Sequence, residues 1–159
     1  MMNMTTIRNH LIAGLMGLAL LTLTAPALAD DNSDDGDDTR DVLLLVTSEQ
    51  DQVQGQAMNT ASELAQRDHS VHIILCGEAG ELALEENIPQ ALAPRDISAK
   101  ELMQEAMSFG ATVEVCHLFL PNSGYRQYEE DDLLEEVTVN NPEDKADMIS
   151  RGDMRVVSY

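Results

Sequence analysis

Four short stretches of the chain are rich in apolar residues, and the first of them is almost continuously apolar, which is typical of a strand covered on both faces in a parallel sheet. They are residues 41–47 (DVLLLVT), 70–76 (SVHIILC), 111–118 (ATVEVCHL) and 154–158 (MRVVS). Ser48 follows the first, Gly77 follows the second, and the turn Pro121-Asn122-Ser123-Gly124 lies shortly after the third, as expected where strands end. We therefore predict a strand over each stretch.

The segments between these strands carry apolar residues at helical spacing. We predict three main helices: residues 53–67 after an approximate capping box of Ser48 and Asp51, residues 98–110 with a capping box of Ser98 and Glu101, and residues 141–150, which open on Asn141-Pro142. Shorter helices are predicted over residues 81–86 and 131–137, with a connection over residues 87–96. This alternation of strands and helices predicts a three-layer α/β/α domain with a mostly parallel sheet of about five strands.

The predicted domain covers residues 40–159 and is preceded by two segments of different character. Residues 1–29 combine Arg8, an apolar run and Ala27-Leu28-Ala29, the pattern of a cleaved export signal. Residues 30–39 (DDNSDDGDDT) contain no apolar residue and are predicted to form a solvated acidic tail. We therefore expect an exported protein without stable membrane insertion, periplasmic if the source has two membranes.

Charge and composition exclude several functions. The formal net charge of −20 leaves few Lys or Arg side chains to bind phosphates, so we expect no nucleic-acid partner. The two cysteines are too few for a disulfide-dense scaffold or a thiolate zinc site. No P-loop, G-x-G-x-x-G or G-x-S-x-G motif is present, and we expect neither a cofactor nor a resident metal.

The candidate chemistry lies where the predicted strands end. Ligands of open parallel sheets bind outside the carboxyl ends of the strands. Ser48 follows the first predicted strand, Cys76 and Gly77 close the second, and Cys116 and His117 lie near the end of the third. Packing or disulfide pairing explains Cys76 better than reactivity does, and His117 is best explained as a surface or core residue. A nearby helix N-terminus would favour a reactive thiolate at Cys116.

The domain resembles the DsrE/DsrF-like family over residues 41–159. The segments that match are DVLLLVTS, HIILCGEAGELAL, the helix over residues 98–110, ATVEVCHLFLPNSGY and DLLEEVTVNNPEDKADMISRGDMRVVSY. The order and spacing of these segments resemble most closely the exported, single-domain branch of the family. The resemblance implies a flavodoxin-like fold, often oligomeric, with a cysteine that carries persulfide sulfur in the sulfur-relay members.

This resemblance assigns expected roles to individual residues. Cys116 matches the sulfur-accepting cysteine, and Cys76 would resolve a persulfide or form a disulfide with Cys116. The pocket would be lined, mostly through backbone groups, by four residues: Ser48, Gly77, Asn122 and Gly124. Export is a departure from the cytoplasmic relay members, because an oxidising compartment favours a Cys76–Cys116 disulfide if the two Cα atoms lie within about 7 Å.

Three hypotheses follow for the function. The first is a thiol-based sulfur carrier that takes up sulfane sulfur on Cys116 from a small donor or a protein and passes it on, without necessarily being an enzyme. The second is a non-catalytic binding module with a structural Cys76–Cys116 disulfide, whose acidic tail and surface serve solubility or docking to a basic partner. The third and weakest is metal capture by the two cysteines and His117. A homo-oligomer is compatible with each of them.

Overall fold

The computed structural model describes residues 41–124, 126–152 and 154–159. Its strands are β1 (Val42–Val46), β2 (Val71–Leu75), β3 (Ala91–Leu92), β4 (Ile97–Ser98), β5 (Thr112–Val115), β6 (Thr138–Val139) and β7 (Arg155–Ser158). Its α-helices are α1 (Asp51–Ala65), α2 (Ala99–Ser108), α3 (Phe119–Asn122) and α4 (Pro142–Ser150), with 3-10 helices over Gly77–Ala83 and Glu130–Asp132. The predicted export signal and acidic tail lie outside the described residues.

Five strands form one sheet in the order β6-β5-β2-β1-β7, and every neighbouring pair runs parallel. The two short strands β3 and β4 form a separate antiparallel pair. The main helices connect strands of the parallel sheet, as the alternating sequence pattern requires. The predicted three-layer, flavodoxin-like α/β fold is therefore confirmed. Within the described part of the chain, no helix is long and apolar enough to cross a membrane.

The main hydrophobic core lies between one face of the sheet and helices α1 and α2. Leu44, Ile73 and Val113 of the three central strands are at most 2% exposed and share one cluster with Met58 of α1 and Met103 of α2. Complete burial of each such side chain contributes about 1.5–3 kcal/mol to folding. This core fixes the three central strands, and therefore the position of their carboxyl ends.

Helix α4 lies against the other face of the sheet through polar contacts. Lys145 forms an ion pair with Glu114 of β5 on that face. Nearby, the two imidazole nitrogens of His72 lie 3.0 Å from Thr112 Oγ1 and 3.3 Å from Ser70 Oγ. Burial lowers the pKa of His72, and the positive charge of Lys145 lowers it further. The neutral imidazole is thus the form that this face stabilises.

Two of the predicted helix starts are confirmed and one is wrong. Ser98 and Glu101 form the expected capping box, with both backbone N–H groups bonded by the partner side chain. Asn141 caps α4 by accepting from the N–H of Glu143, with Pro142 at the first helical position. Helix α1 instead begins at Asp51 with Gln50 as N-cap, because the Ser48 hydroxyl accepts from the Gln50 N–H ahead of the helix.

Two further differences concern where predicted elements begin and end. The third strand ends at Val115 and not at residue 118, because the chain turns there: the Phe119 N–H donates to the Cys116 carbonyl at 2.8 Å. The helix predicted over residues 81–86 is a 3-10 helix that starts at Gly77, directly after the second strand.

The helix predicted over residues 131–137 is absent, and a single 3-10 turn, Glu130–Asp132, takes its place. Beyond that turn the backbone pairs with residues 83–85, where the Leu134 N–H donates to the Ala83 carbonyl and Leu133 bridges Leu84. The predicted connection over residues 87–96 includes β3 and the turn toward β4.

Candidate functional site

Cys76 and Cys116 meet at the carboxyl edge of the sheet, where they form a disulfide with a Cα–Cα distance of 5.0 Å. Strands β2 and β5 are neighbours in register, with Leu75 opposite Val115. Each cysteine is the next residue after one of this pair, so the topology of the sheet places the two side by side. The predicted proximity of both cysteines to this edge is thus met, and no cysteine of the chain is free.

The backbone around the two cysteines continues the hydrogen-bond ladder of the sheet. The Cys76 N–H donates to the Val46 carbonyl at 2.9 Å, and the Cys116 N–H donates to the Leu75 carbonyl at 2.8 Å. These bonds do not involve sulfur, so reduction of the disulfide removes none of them directly. Both cysteine side chains are half-buried, so the disulfide is accessible from the solvent side.

A cleft of about 390 Å³ opens over the disulfide. One wall is the 3-10 helix Gly77–Ala83 and the other is α3 with the turn that follows it. The lining is mainly apolar, and it includes Phe119 and the mouth residue Leu118, which is 61% exposed. The cleft is large enough for a small molecule or for one or two side chains of a protein partner.

Two glycines allow the walls to approach one another. Gly77 has a φ of +58°, a left-handed conformation that favours glycine, and this lets the chain turn directly from Cys76 into the 3-10 helix. At Gly80, a Cβ would lie 2.5 Å from ring carbons of Phe119, so the aromatic ring rests on the glycine backbone. The same ring stacks on Tyr128, with centroids 6.0 Å apart. The segments that follow the two cysteines are therefore packed directly against each other.

The charges that line the cleft are negative. Glu78 and Glu81 belong to its 3-10 wall, and none of the described lining residues is Lys, Arg or His. Burial raises the pKa of Glu81, and the neighbouring charge of Glu78 raises it further. Glu81 is partly buried and therefore incompletely hydrated, Glu78 is exposed, and both line the same cleft as the disulfide, so the cleft favours cationic or neutral occupants over anions.

Lys100 anchors the segment that leaves this wall. Its ammonium group donates to the carbonyls of Leu84, Glu85 and Asn87 at 2.7, 3.0 and 2.9 Å. Burial lowers the pKa of Lys100, which is only 9% exposed. The three carbonyls replace the water that the ammonium loses on burial, and they fix the chain just after the 3-10 helix.

The structure brings most, but not all, of the predicted pocket residues to the cleft. Gly77, Asn122 and Gly124 line it. The Asn122 side-chain amide donates to the Leu118 carbonyl at 2.8 Å and so holds its own turn. Ser48 is not among the lining residues: its hydroxyl and carbonyl bind Gln50 and Gln54.

His117 is also outside the cleft. It lies in the exposed turn between the end of β5 and α3. In the described part of the chain no three His, Cys, Asp or Glu side chains cluster as a metal site, and both cysteine sulfurs are engaged in the disulfide. The geometry offers nothing in favour of metal capture by these residues.

Sequence reasoning missed Glu81, Leu118 and Phe119 as cleft residues. The sequence pattern places Glu81 in a helix separate from the site, and it places the other two in or just beyond the third strand. The available signal was local: Gly77 directly after the strand permits a sharp turn into the next segment. Pro121, close behind Cys116, likewise favours an early end to the strand.

Comparison with known proteins adds no assignment. The chain matches no model of a known protein family, and no curated protein sequence is significantly similar to it. The functional argument therefore depends on the cleft and the cysteine pair.

Proposed function

We propose that this protein carries sulfane sulfur on a reversible cysteine pair, with Cys116 as the acceptor and Cys76 as the resolving residue. The observation that supports this best is the half-buried Cys76–Cys116 disulfide under an open cleft at the carboxyl edge of the sheet. The resemblance to the DsrE/DsrF-like family agrees with it. The proposed setting is an exported, periplasmic protein that exchanges sulfur with a small donor or with a protein.

The chemistry begins from the dithiol. The Cys116 thiolate attacks the outer sulfur of a donor persulfide, the sulfur–sulfur bond of the donor breaks, and the donor leaves as a thiolate. The product is a persulfide on Cys116. An acceptor thiolate then takes the outer sulfur in the same way and regenerates the Cys116 thiolate. Each transfer exchanges one sulfur–sulfur bond for another, so no external oxidant is consumed.

Cys76 provides a second outcome for the loaded protein. Its thiolate attacks the inner sulfur of the Cys116 persulfide, which closes the disulfide and releases hydrosulfide. The Cα–Cα distance of 5.0 Å allows this attack without movement of the sheet. In this scheme the disulfide is the discharged, oxidised form, and a small thiol reductant, acting through a mixed disulfide, returns it to the dithiol.

The test is sulfur loading of the reduced protein, measured by intact mass spectrometry. The probe is the persulfide of mercaptoethanol, which carries no charge beyond its sulfur. Unchanged protein should gain one sulfur and then close its disulfide. The Cys76→Ser variant should keep the added sulfur because nothing resolves it, and the matched Cys116→Ser variant should gain none. Full loading of Cys116→Ser would refute the assignment of Cys116.

A second candidate function is a non-catalytic binding module stabilised by the same bond. The observation that favours it is that both cysteines are already paired, so the bond closes a chain segment with a sequence separation of 40. In that case the disulfide would resist small thiols in the folded protein, and replacement of both cysteines by Ala would leave partner binding unchanged. Reduction of the disulfide without unfolding would instead support sulfur chemistry.

A further inference from the structure

We propose that the cleft over the disulfide discriminates by charge, so that its thiol and persulfide partners are cationic or neutral and anionic ones are disfavoured. This rests on the proposed function and names the class of substrate for that site. The chemistry that would recognise the occupant is a sulfur atom close to an ammonium or guanidinium group. Such a group is found on aminothiols and beside the cysteines of basic proteins.

The charge pattern around the cleft carries the argument. Glu78 and Glu81 stand on the wall that begins directly after Cys76, and no described lining residue is basic. Attack on the disulfide brings a thiolate to within bonding distance of sulfur. Any further negative charge on the same small molecule would then lie among these carboxylates, whereas an ammonium group would lie close to them. The Coulomb energies of the two cases have opposite signs.

Two basic side chains next to the cleft walls are bound elsewhere. Arg126, which follows the cleft turn, forms ion pairs with Glu86 and Asp132 and lies over the Tyr128 ring. Lys100 is bound to three backbone carbonyls behind the wall. Neither is among the cleft-lining residues, so neither offsets the two carboxylates there.

The reaction used to test this is simple thiol–disulfide exchange on the folded, oxidised protein. A thiolate attacks one sulfur of the Cys76–Cys116 bond, that bond breaks, and the other cysteine leaves as a thiolate. A second thiol molecule then resolves the mixed disulfide, so that two thiols become one small disulfide and the protein becomes the dithiol. The reductant is the thiol supplied in the assay.

Three thiols of similar size provide the comparison: cysteamine (cationic), mercaptoethanol (neutral) and 3-mercaptopropionate (anionic). Each rate of reduction is divided by the thiolate concentration and by the rate of the same thiol with an uncharged small disulfide. We expect cysteamine to exceed 3-mercaptopropionate by about tenfold at low salt, and added salt to shrink this ratio because the cleft is open to solvent.

Variants separate the cleft carboxylates from the general acidity of the chain. The double variant Glu78→Gln/Glu81→Gln should lose most of the preference for cysteamine. The control Glu135→Gln/Glu136→Gln changes the net charge equally. Its two residues are exposed and are not among the cleft-lining residues, and it should keep the preference.

The outcomes distinguish this inference from the function on which it rests. Equal normalised rates for the three thiols, or a preference that survives Glu78→Gln/Glu81→Gln, would overturn charge discrimination while leaving sulfur chemistry intact. A disulfide that reacts with none of the three thiols in the folded protein would refute both the proposed function and this inference. In the unchanged protein, a cysteamine preference that does not shrink with added salt would also contradict the electrostatic origin of the discrimination.

Discussion

The Cys76–Cys116 bond should contribute a large part of the stability of the domain. The two residues are separated by 40 positions in the chain, and their cross-link restricts the unfolded chain by closing that loop. The loop-entropy relation gives about 4 kcal/mol at 25 °C for a loop of this length. The whole free energy of unfolding of such a domain is about 5–15 kcal/mol, so reduction should lower it by a large fraction.

The measurement is guanidinium-induced unfolding with and without a reductant. Far-UV circular dichroism is the suitable probe because the chain contains no Trp. We expect a lower midpoint for the reduced protein, together with a steeper dependence on denaturant, since the uncrosslinked chain exposes more surface when it unfolds. The double variant Cys76→Ser/Cys116→Ser should resemble the reduced protein and should not respond to the reductant.

Each outcome of this measurement has a consequence for function. If the oxidised and reduced proteins differ by less than about 1 kcal/mol, the loop-entropy reasoning is refuted for this domain. If the reduced protein is unfolded in the absence of denaturant, a dithiol form cannot serve as a sulfur acceptor, and the structural role of the disulfide is the better account. A destabilised but folded dithiol is the result that reversible sulfur chemistry requires.

Three further predictions concern the walls and the second face of the sheet. Gly80→Ala should destabilise by about 1–3 kcal/mol in the same unfolding assay because its Cβ would overlap the Phe119 ring, whereas a Cβ at Gly124 meets no atom and Gly124→Ala should be nearly neutral. Lys100→Met should cost about 2 kcal/mol or more because three carbonyls lose their donor, as equilibrium denaturation would show; an unchanged midpoint would contradict this. Because the pKa of His72 is lowered in the folded protein, its contribution to the free energy of unfolding is complete above about pH 6.5 and is lost as the pH falls through the folded pKa. His72→Gln should therefore reduce the loss of stability between about pH 7.5 and about pH 5. An identical pH profile of the variant would refute the role of His72.

The sequence predicted the elements best where one physical requirement dominated. The run VLLLV has no polar position to expose, so a strand covered on both faces was the natural assignment, and Leu44 is indeed fully buried. The Ser98–Glu101 pair and the Asn141 side chain each bond free backbone N–H groups locally, and Pro142 has no N–H to satisfy, so both patterns mark a real helix start. In these places local and tertiary preferences agree.

The site was harder to predict because it depends on which strands are neighbours. Cys76 and Cys116 each follow a strand, but only the pairing of β2 with β5 places them 5.0 Å apart. The apolar residues around Phe119 are equally compatible with a continuation of the third strand and with a turn into a helix. The packing of Phe119 on Gly80 favours the turn. This contact joins segments that are distant in sequence, so the local spacing of apolar residues gives no sign of it.

The position of the cysteines also bears on whether their bond is reversible. Backbone hydrogen bonds hold Cys76 to Val46 and Cys116 to Leu75, and the Phe119 ring on Gly80 holds together the segments that follow. None of these contacts uses sulfur. Reduction therefore removes none of these contacts directly, and we expect the two sulfurs to stay within reach of each other in a folded dithiol. A pair held in this way under an open cleft should close and reopen without rearranging the fold, which is the property that sulfur transfer through Cys116 would require.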